Sequence, residues 1–265
     1  MTARTRPLRK FAAEVGAGLA PVVVLLVLWQ VAYWAIPANT FLRSPMEALA
    51  FLADPAHLGD VLQAAAGTLL MLGVGYVISL VVALALACLV TASDVLDRAL
   101  SPLALALGVV PVVVITPVVI LLLGRTPATS IAVCVMITFF SSFVSLTAGM
   151  RSASRASLDL AAVLGAGALR TVIGVRLPSA VPSLLSATKL ALPAALSGVI
   201  LTEYIATGAG IGTFINHARA NYHYIDMWAG ILVIVVASTF VYVLIGALEA
   251  SLGDRFAPRR ARATS

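Results

Sequence analysis

Long stretches without a charged residue are the feature that most restricts how this chain can fold. A bilayer core about 30 Å thick is crossed by about 20 apolar residues in an α-helix. Five uncharged stretches are long enough, and a sixth, residues 182–206, contains only Lys189 and Glu203 as charged residues. The sequence therefore predicts an all-α integral membrane protein with about six transmembrane helices. The five uncharged stretches are residues 15–42, 61–93, 99–124, 126–150 and 227–248.

The composition leads to the same class of protein. Of the 265 residues, 61% are hydrophobic and 11% are charged, and the mean hydropathy is +1.06. Soluble domains carry about 25% charged residues, so this chain has too few to cover a water-exposed surface. The composition excludes an ordinary soluble enzyme and a nucleic-acid-binding module, although the net charge is +6.

The basic residues predict the orientation in the membrane. Loops on the cytoplasmic side of a membrane protein carry an excess of Lys and Arg. Thirteen Lys and Arg residues fall in the two tails and in the second and fourth connections, whereas the opposite connections hold three, Arg43, Arg125 and Arg219. We therefore expect both termini to be cytoplasmic, with Tyr33, Trp34, Tyr222, Tyr224 and Trp228 near the outer interface.

Neither the cysteines nor the histidines form a metal-binding pattern. Cys88 and Cys134 lie inside apolar runs, where a thiol acts as a small hydrophobe. His57, His217 and His223 have no spacing that would place two imidazoles and a carboxylate on one helical face. We expect no metal site and no catalytic residue on this chain.

The connection formed by residues 151–181 differs from the others. Ser157 is a candidate N-cap, which would place Asp159 in the first turn of a short helix. One face of that helix would carry little side-chain bulk, with Gly165 and Gly167 ending it. A second helical stretch would run over residues 168–177 and end at Pro178. The segment is suited to close contact with another protein surface, and equally to lying on the bilayer. The small face comprises Leu158, Ala161, Ala162 and Gly165.

The same connection resembles the EAA signature of ABC-importer permeases, most closely the nitrate, sulfonate and taurine branch. The resemblance covers residues 61–249 and includes a proline–proline–glycine pattern, a basic residue, a glutamate and a glycine-rich loop further along. This chain departs from the branch at Met71, which follows Thr68 where an arginine is common, and at Ala162. The signature positions are Asp159, Leu160, Ala161, Gly165, Val175, Leu177 and Pro178, and the further matches are Pro111, Pro117, Gly124, Lys189, Glu203 and residues 208–212.

The resemblance implies a type I ABC importer transmembrane fold. Residues 61–249 would form the permease core with its coupling loop at 151–181. Residues 1–60 would form a cytoplasmic tail, a membrane anchor and an external loop, and residues 250–265 a basic cytoplasmic tail. The chain would sit in a bacterial cell membrane and import a small solute of the nitrate, sulfonate or taurine type, although a vitamin precursor such as riboflavin or a pyrimidine would also suit the branch.

The resemblance also implies partners. A second permease subunit would complete a dimer, most simply a homodimer. Two cytoplasmic ABC ATPase subunits and an extracytoplasmic solute-binding protein would complete the transporter. The residues expected to couple this chain to the ATPase are Asp159, Ala161, Ala162, Gly165, Val175, Leu177 and Pro178.

The ATPase must be a separate chain, because this one has no phosphate-binding loop. A P-loop needs a lysine directly after a glycine. The lysines are Lys10 and Lys189, and neither follows a glycine. We therefore expect ATP and Mg²⁺ to bind the partner and no cofactor to bind here.

The predicted spans contain four candidates for the solute path or its gate, which are Lys189, Glu203, Ser141 and Ser142. Charges inside a membrane are costly and often functional. Lys189 could also extend to the interface, and the hydroxyls of Ser141 and Ser142 could bond to the backbone instead. Lys189 and Glu203 are about 21 Å apart on one helix, too far to pair directly. A secondary carrier or channel is the competing class, but such proteins need more buried acids or histidines than Glu203.

Overall fold

The structure, a computed structural model, describes residues 22–36, 41–109 and 111–256. All regular secondary structure in these ranges is helical, which confirms the predicted fold class. The helices are α1 (Val22–Ala35), α2 (Pro45–Leu52), α3 (Pro55–Ala92), α4 (Asp94–Val109), α5 (Val112–Leu123), α6 (Pro127–Arg151), α7 (Arg155–Val163), α8 (Ala168–Thr171), α9 (Leu177–Thr202), α10 (Gly210–Ala220) and α11 (Tyr224–Phe256).

Four of the helices are long and apolar enough to cross a membrane. They contain Pro55–Ala92, Pro127–Arg151, Ala168–Ala206 and Tyr224–Glu249. These correspond to the second, fourth, fifth and sixth predicted crossings. Within the first predicted crossing, residues 15–42, the structure describes α1. Residues 15–21 and 37–40 of this crossing lie outside the described residues.

The third predicted crossing is not one helix, contrary to the sequence prediction for residues 99–124. The chain forms α4 and then α5, which begins after Pro111. Pro111 has an extended backbone, with φ −61° and ψ 121°, and its nitrogen carries no hydrogen to donate to a helix. Proline therefore separates two shorter helices within one apolar stretch.

The centre of the bundle is α6, which packs against α3 on one side and α9 on the other. Two buried clusters form along this contact. One surrounds Val199, Leu72 and Ile211, and the other surrounds Phe143, Leu146 and Met150. Many contacting residues are small, as expected where helices in a membrane associate through close van der Waals packing. Large side chains such as Leu70 and Val81 point away from the bundle, as suits a surface in contact with lipid.

The helix that contains α9 starts earlier than the sequence indicates and does not stop at Pro178. It runs from Ala168 through a π-helical turn, Val172–Arg176, directly into α9. The Leu177 N–H donates to the Val172 carbonyl five residues earlier. This wider turn allows the backbone to continue past Pro178, which lies at the start of α9, where a missing N–H is best tolerated.

Candidate functional site

The short helix of the 151–181 connection is α7, and it begins three residues earlier than predicted. The Ser154 hydroxyl accepts the Ser157 N–H at 3.1 Å, so Ser154, not Ser157, is the N-cap. Asp159 consequently lies beyond the first turn and is exposed. The two serine hydroxyls also bond to each other at 2.7 Å, which explains why both serines fit a capping pattern in the sequence.

The end of α7 agrees with the prediction for Gly165. The Ala166 N–H donates to the Ala161 carbonyl at 2.9 Å, and the Gly165 N–H donates to the Ala162 carbonyl at 3.0 Å. This pair of bonds is a Schellman motif, which needs a residue in the left-handed region. Gly165 has φ +71°, and no atom lies within 4 Å of the place where its Cβ would be. The glycine therefore ends the helix and leaves an open surface.

The face of small residues is only partly exposed on α7. Ala161 is buried and Leu158 is half-buried, so part of that face is covered by the chain itself. Ala162 and Gly165 remain exposed. The outer surface also carries bulky apolar side chains, with Leu160 60%, Val163 84% and Leu164 75% exposed. We call Leu160, Val163 and Leu164 the apolar face of α7.

The later signature residues anchor the segment to the bundle. Val175, Leu177 and Pro178 are half-buried, and Leu177 packs against the cluster that contains Met150. Of the predicted coupling residues, Asp159, Ala162 and Gly165 thus lie outward, whereas Ala161, Val175, Leu177 and Pro178 lie inward.

Two arginines fasten this end of the bundle, although the sequence indicated for them only a role in orientation. The Arg176 Nη1 donates to the Thr91 carbonyl at 2.5 Å, near the C-terminus of α3, where a cation is favoured. Arg151 Nη2 lies 2.7 Å from Asp97 Oδ2, joining α6 to α4. A hydrogen bond from Ser101, together with Arg151, holds the pKa of Asp97 below its usual range. The connection is therefore tied to α3, α4 and α6.

Glu203 is the centre of a buried hydrogen-bond network at the other end of α9. Its side chain is 1% exposed, and its Oε2 accepts the Thr68 hydroxyl at 2.8 Å and the Gly212 N–H at 3.0 Å. The Thr68 Oγ1 in turn accepts the Ile211 N–H at 2.8 Å. The network joins α3 and the turn after α9 to the first turn of α10, where a carboxylate is favoured by the helix dipole.

Lys189 has an acidic partner that sequence spacing could not reveal. Its Nζ lies 3.5 Å from Glu249 Oε2 on α11 and 5.1 Å from the centre of the Tyr242 ring. The Ser186 hydroxyl donates to Glu249 Oε1 at 2.5 Å. Glu249 lies just outside the uncharged stretch at 227–248, so the sequence pattern does not mark it as a membrane charge. The ion pair joins α9 to α11.

The candidate path residues do not come together in one cluster. Ser142 is buried and Ser141 half-buried on α6, whereas Glu203 is tied to α3 and α10, and Lys189 to α11. The nearby Thr138 hydroxyl bonds to the backbone instead of lining a path, since it donates to the Cys134 carbonyl at 2.8 Å. Path lining by Ser141 and Ser142 stays a prediction.

Reversing the charge of Lys189 is expected to destabilise the protein, and exchanging both charges is expected to restore it. Lys189→Glu places two carboxylates together at a site where the side chains are 16% and 30% exposed. We expect a loss of about 2 kcal/mol, between the values for exposed and buried pairs. Thermal unfolding in detergent of Lys189→Glu, Glu249→Lys and the double variant measures this. A loss in the double variant equal to the sum of the two single losses would show that the pair contributes nothing.

Comparison with known proteins agrees with this architecture. Residues 75–261 match the family described as "Binding-protein-dependent transport system inner membrane component". The formylaminopyrimidine transport permease protein ThiX of Halalkalibacterium halodurans is 25% identical, over 86% of this chain and 90% of ThiX. The putative aliphatic sulfonates transport permease protein SsuC of Bacillus subtilis is 25% identical, over 89% of this chain and 86% of SsuC.

A solved structure supports the fold. A chain of the MetNI methionine ABC transporter, in a study of its inward facing conformations, has a TM-score of 0.61 and 15% identity. The match covers 70% of this chain and 93% of that one. This likeness confirms the predicted ABC importer transmembrane fold.

These findings define a multi-pass membrane transport subunit. The chain belongs to the family of inner membrane components of binding-protein-dependent transport systems. It is a permease subunit of an ABC importer, and the predicted class is confirmed. A secondary carrier or channel is not favoured.

Proposed function

We propose that this chain forms the solute path of an importer driven by two separate ATPase subunits that dock on the 151–181 connection. The observation that carries the proposal is the apolar face of α7. Three bulky apolar side chains stand exposed beside Asp159 and Gly165. Exposed apolar patches commonly mark protein interfaces.

The anchoring of the connection supports a mechanical role. Force applied to α7 would pass through the turn at Gly165 into the helix that contains α9. It would also reach α3 through Arg176 and the Thr91 carbonyl. Both α3 and α9 pack on α6, so movement of the docked segment would shift the central helices of the bundle.

We place the 151–181 connection and both termini in the cytoplasm. The distribution of Lys and Arg supports this orientation. The aromatic residues at the opposite end support it too, since Trp29 stacks on Trp228 with ring centres 4.7 Å apart and Phe41 packs on Tyr224. Trp and Tyr concentrate at membrane interfaces, so this cluster would mark the outer surface.

We propose a homodimer of this chain, with an extracytoplasmic binding protein that delivers the solute. The solute would be small, of the nitrate, sulfonate or taurine type. The names of the relatives support a small organic compound, since they specify formylaminopyrimidine and aliphatic sulfonates. ATP and Mg²⁺ would bind the ATPase subunits, with no cofactor on this chain.

Purification of the tagged chain from its native membrane tests the proposal. We expect an ATPase with a P-loop to copurify and to be lost when the apolar face carries a charge, in Leu164→Asp. Val95→Asp is the matched control, because Val95 is also 75% exposed but lies on α4, outside the connection. A chain that purifies without an ATPase, or an equal loss in both variants, would contradict the docking proposal.

A further inference from the structure

The end of the helix that contains α9 is bound to α10 by several hydrogen bonds. The Gly212 N–H donates to Glu203 Oε2 at 3.0 Å, and the Thr213 hydroxyl donates to the Glu203 carbonyl at 2.8 Å. The Asn216 side-chain amide donates to the Tyr204 carbonyl at 2.8 Å. A Cβ at Gly212 would overlap this part of the helix, so the two elements also pack in close contact. The end of this helix and α10 therefore form one body.

This body is fastened to α3 through the side chain of Thr68. Both described hydrogen bonds between them use its hydroxyl, which donates to Glu203 Oε2 at 2.8 Å and accepts the Ile211 N–H at 2.8 Å. The surrounding contact is apolar, since Ala65 packs in one cluster with Val199 and Ile211. In lipid, apolar burial does not drive helices together, and association depends on close packing and interhelical hydrogen bonds. Loss of the Thr68 hydroxyl would remove both bonds at once.

A proline separates this body from the rest of α9. Pro193 lies inside α9 and has no N–H to donate to the preceding turn, which is a common cause of bending in helices. Before this proline, the Thr188 hydroxyl is hydrogen-bonded to the Tyr76 hydroxyl of α3. The part of α9 before Pro193 thus has its own polar contact with α3, whereas the part after it depends on Thr68. We call residues 194–220 the arm.

The position of the arm against α3 leaves one oxygen of Glu203 unsatisfied. Thr68 and Gly212 both bind Oε2, whereas Oε1 is buried without a hydrogen-bond partner among the described residues. A buried acceptor without a partner costs free energy, which hydration would recover. Movement of the arm away from α3 would widen the cleft between Gly67 and Gly210 and admit water to this region. The cost at Oε1 opposes the two bonds of Thr68, so the arm is poised to move.

We propose that the arm is a gate at the end of the bundle opposite the 151–181 connection, that Thr68 latches it to α3, and that it bends away at Pro193 during the ATP-driven cycle. Movement of the connection reaches the arm because both belong to one continuous helix, Ala168–Ala206. The inference rests on the proposed import function and assigns Thr68 and Glu203 a positioning role in it.

Thiol labelling of the purified chain in detergent tests the latch without the ATPase. In a Cys88→Ala background, Gly67→Cys places a Cβ 3.9 Å from Gly210 Cα, so the arm covers the thiol, and Cys134 is fully buried. Loss of a hydrogen bond to a charged group shifts an equilibrium by about tenfold or more. We therefore expect Thr68→Val to raise the labelling rate with a water-soluble methanethiosulfonate about tenfold. Thr68→Ser keeps the hydroxyl and should label like the parent.

The matched control is Tyr76→Phe, which removes a hydrogen bond between α3 and α9 on the other side of Pro193. We expect it to leave the labelling rate of Gly67→Cys unchanged. Thermal unfolding verifies that Thr68→Val and Tyr76→Phe are folded. A Thr68→Val rate equal to that of the parent would overturn the latch. Equal increases in Thr68→Val and Tyr76→Phe would also overturn it, because they would indicate a general loosening of α3 from α9.

Cross-linking tests the gate in the transporter without any variant of Thr68. Gly67→Cys and Ala209→Cys line the same cleft, so a short bis-methanethiosulfonate can join them. Because the cycle needs the arm to move, we expect the cross-link to lower ATP hydrolysis by the copurified complex at least about tenfold, and dithiothreitol to restore it. Each single-cysteine variant treated with the same reagent is the control. Undiminished hydrolysis in the cross-linked complex would overturn the gate.

Vanadate trapping shows whether the arm moves with the ATPase. Labelling of Gly67→Cys in the copurified complex is compared without nucleotide and with ATP and vanadate. We expect the rate to rise severalfold in one of these two states relative to the other, and equal rates would overturn the gate. If no ATPase copurifies, the proposed function fails, but labelling of the chain alone still measures the latch. The two proposals can therefore fail separately.

Discussion

Replacing Gly165 with Asp is expected to abolish ATP-driven transport while leaving the chain folded in the membrane. Gly165 has φ +71°, and placing an L-residue in this left-handed conformation costs about 1–2 kcal/mol. Asp adopts this conformation more readily than most residues other than glycine. No atom of the chain lies within 4 Å of the new Cβ, so the fold has room for it. The carboxylate would instead project from the surface that carries Leu160 and Leu164. A buried, unpaired charge there would prevent a close interface with the ATPase.

The measurement is solute-stimulated ATP hydrolysis and uptake by the reconstituted complex, with the amount of membrane-inserted chain determined in parallel. Gly167→Asp is the matched control. Gly167 is also exposed, with no atom within 4 Å of its Cβ position, but its φ is −67°. We expect Gly165→Asp to reduce coupled transport by at least about tenfold, and Gly167→Asp to reduce it much less. Full transport by Gly165→Asp would exclude close docking at this glycine.

The Gly165→Ala variant distinguishes the effect of a side chain at positive φ from the effect of a charge on the open surface. Alanine adds a methyl group without charge, at about the same cost for positive φ. If Ala retains most of the transport that Asp abolishes, the loss arises at the interface. If both variants lose the chain from the membrane, the Schellman turn itself is needed for folding.

The crossings were predictable because a helix can cross the bilayer when its sequence is long enough and sufficiently apolar. An uncharged stretch of about 20 residues has few alternatives in a bilayer. Three of the four long helices appear where such stretches predict them, and the fourth appears where the stretch contains Lys189 and Glu203. The pattern of charges does not predict the division at Pro111, because the absence of charges does not indicate where a helix breaks. The proline is the residue in the sequence that marks the position.

The candidate site was less predictable because its contacts join residues far apart in the chain. The EAA spacing located α7, but not which of its faces the chain would cover. Glu203 is recognisable in the sequence as a charge in an apolar span. Its partner Thr68 is not, because the two residues are 135 positions apart in the chain. Glu249 lies just past an uncharged stretch, and the packing of α11 on α9 brings it to Lys189, which no pattern in the sequence indicates. The N-cap at Ser154 was open to prediction, since two serines three residues apart fit the same pattern.

Enlarging Gly149 is expected to give a large loss of stability, because α6 and α9 are in close contact at this residue, near the 151–181 connection. A Cβ at Gly149 would lie 2.6 Å from Ala180 Cα and 3.2 Å from Ser183 Cβ. The Ala180 Cα is backbone and cannot rotate away. Gly149→Val must therefore separate the two helices, next to the buried cluster of Phe143, Leu146 and Met150.

Overpacking of this kind costs about 1–3 kcal/mol, and here it also weakens the contact between two central helices. We expect Gly149→Val to lower the unfolding temperature in detergent by at least about 5 °C, or to prevent accumulation of the chain. Gly73→Val is the matched control, since Gly73 lies within α3 and has no atom within 4 Å of its Cβ position. Gly149→Ala should fall between the two. Equal stability of Gly149→Val and Gly73→Val would mean that α6 and α9 are not held in close contact at Gly149. Force on α7 would then reach the bundle by another route.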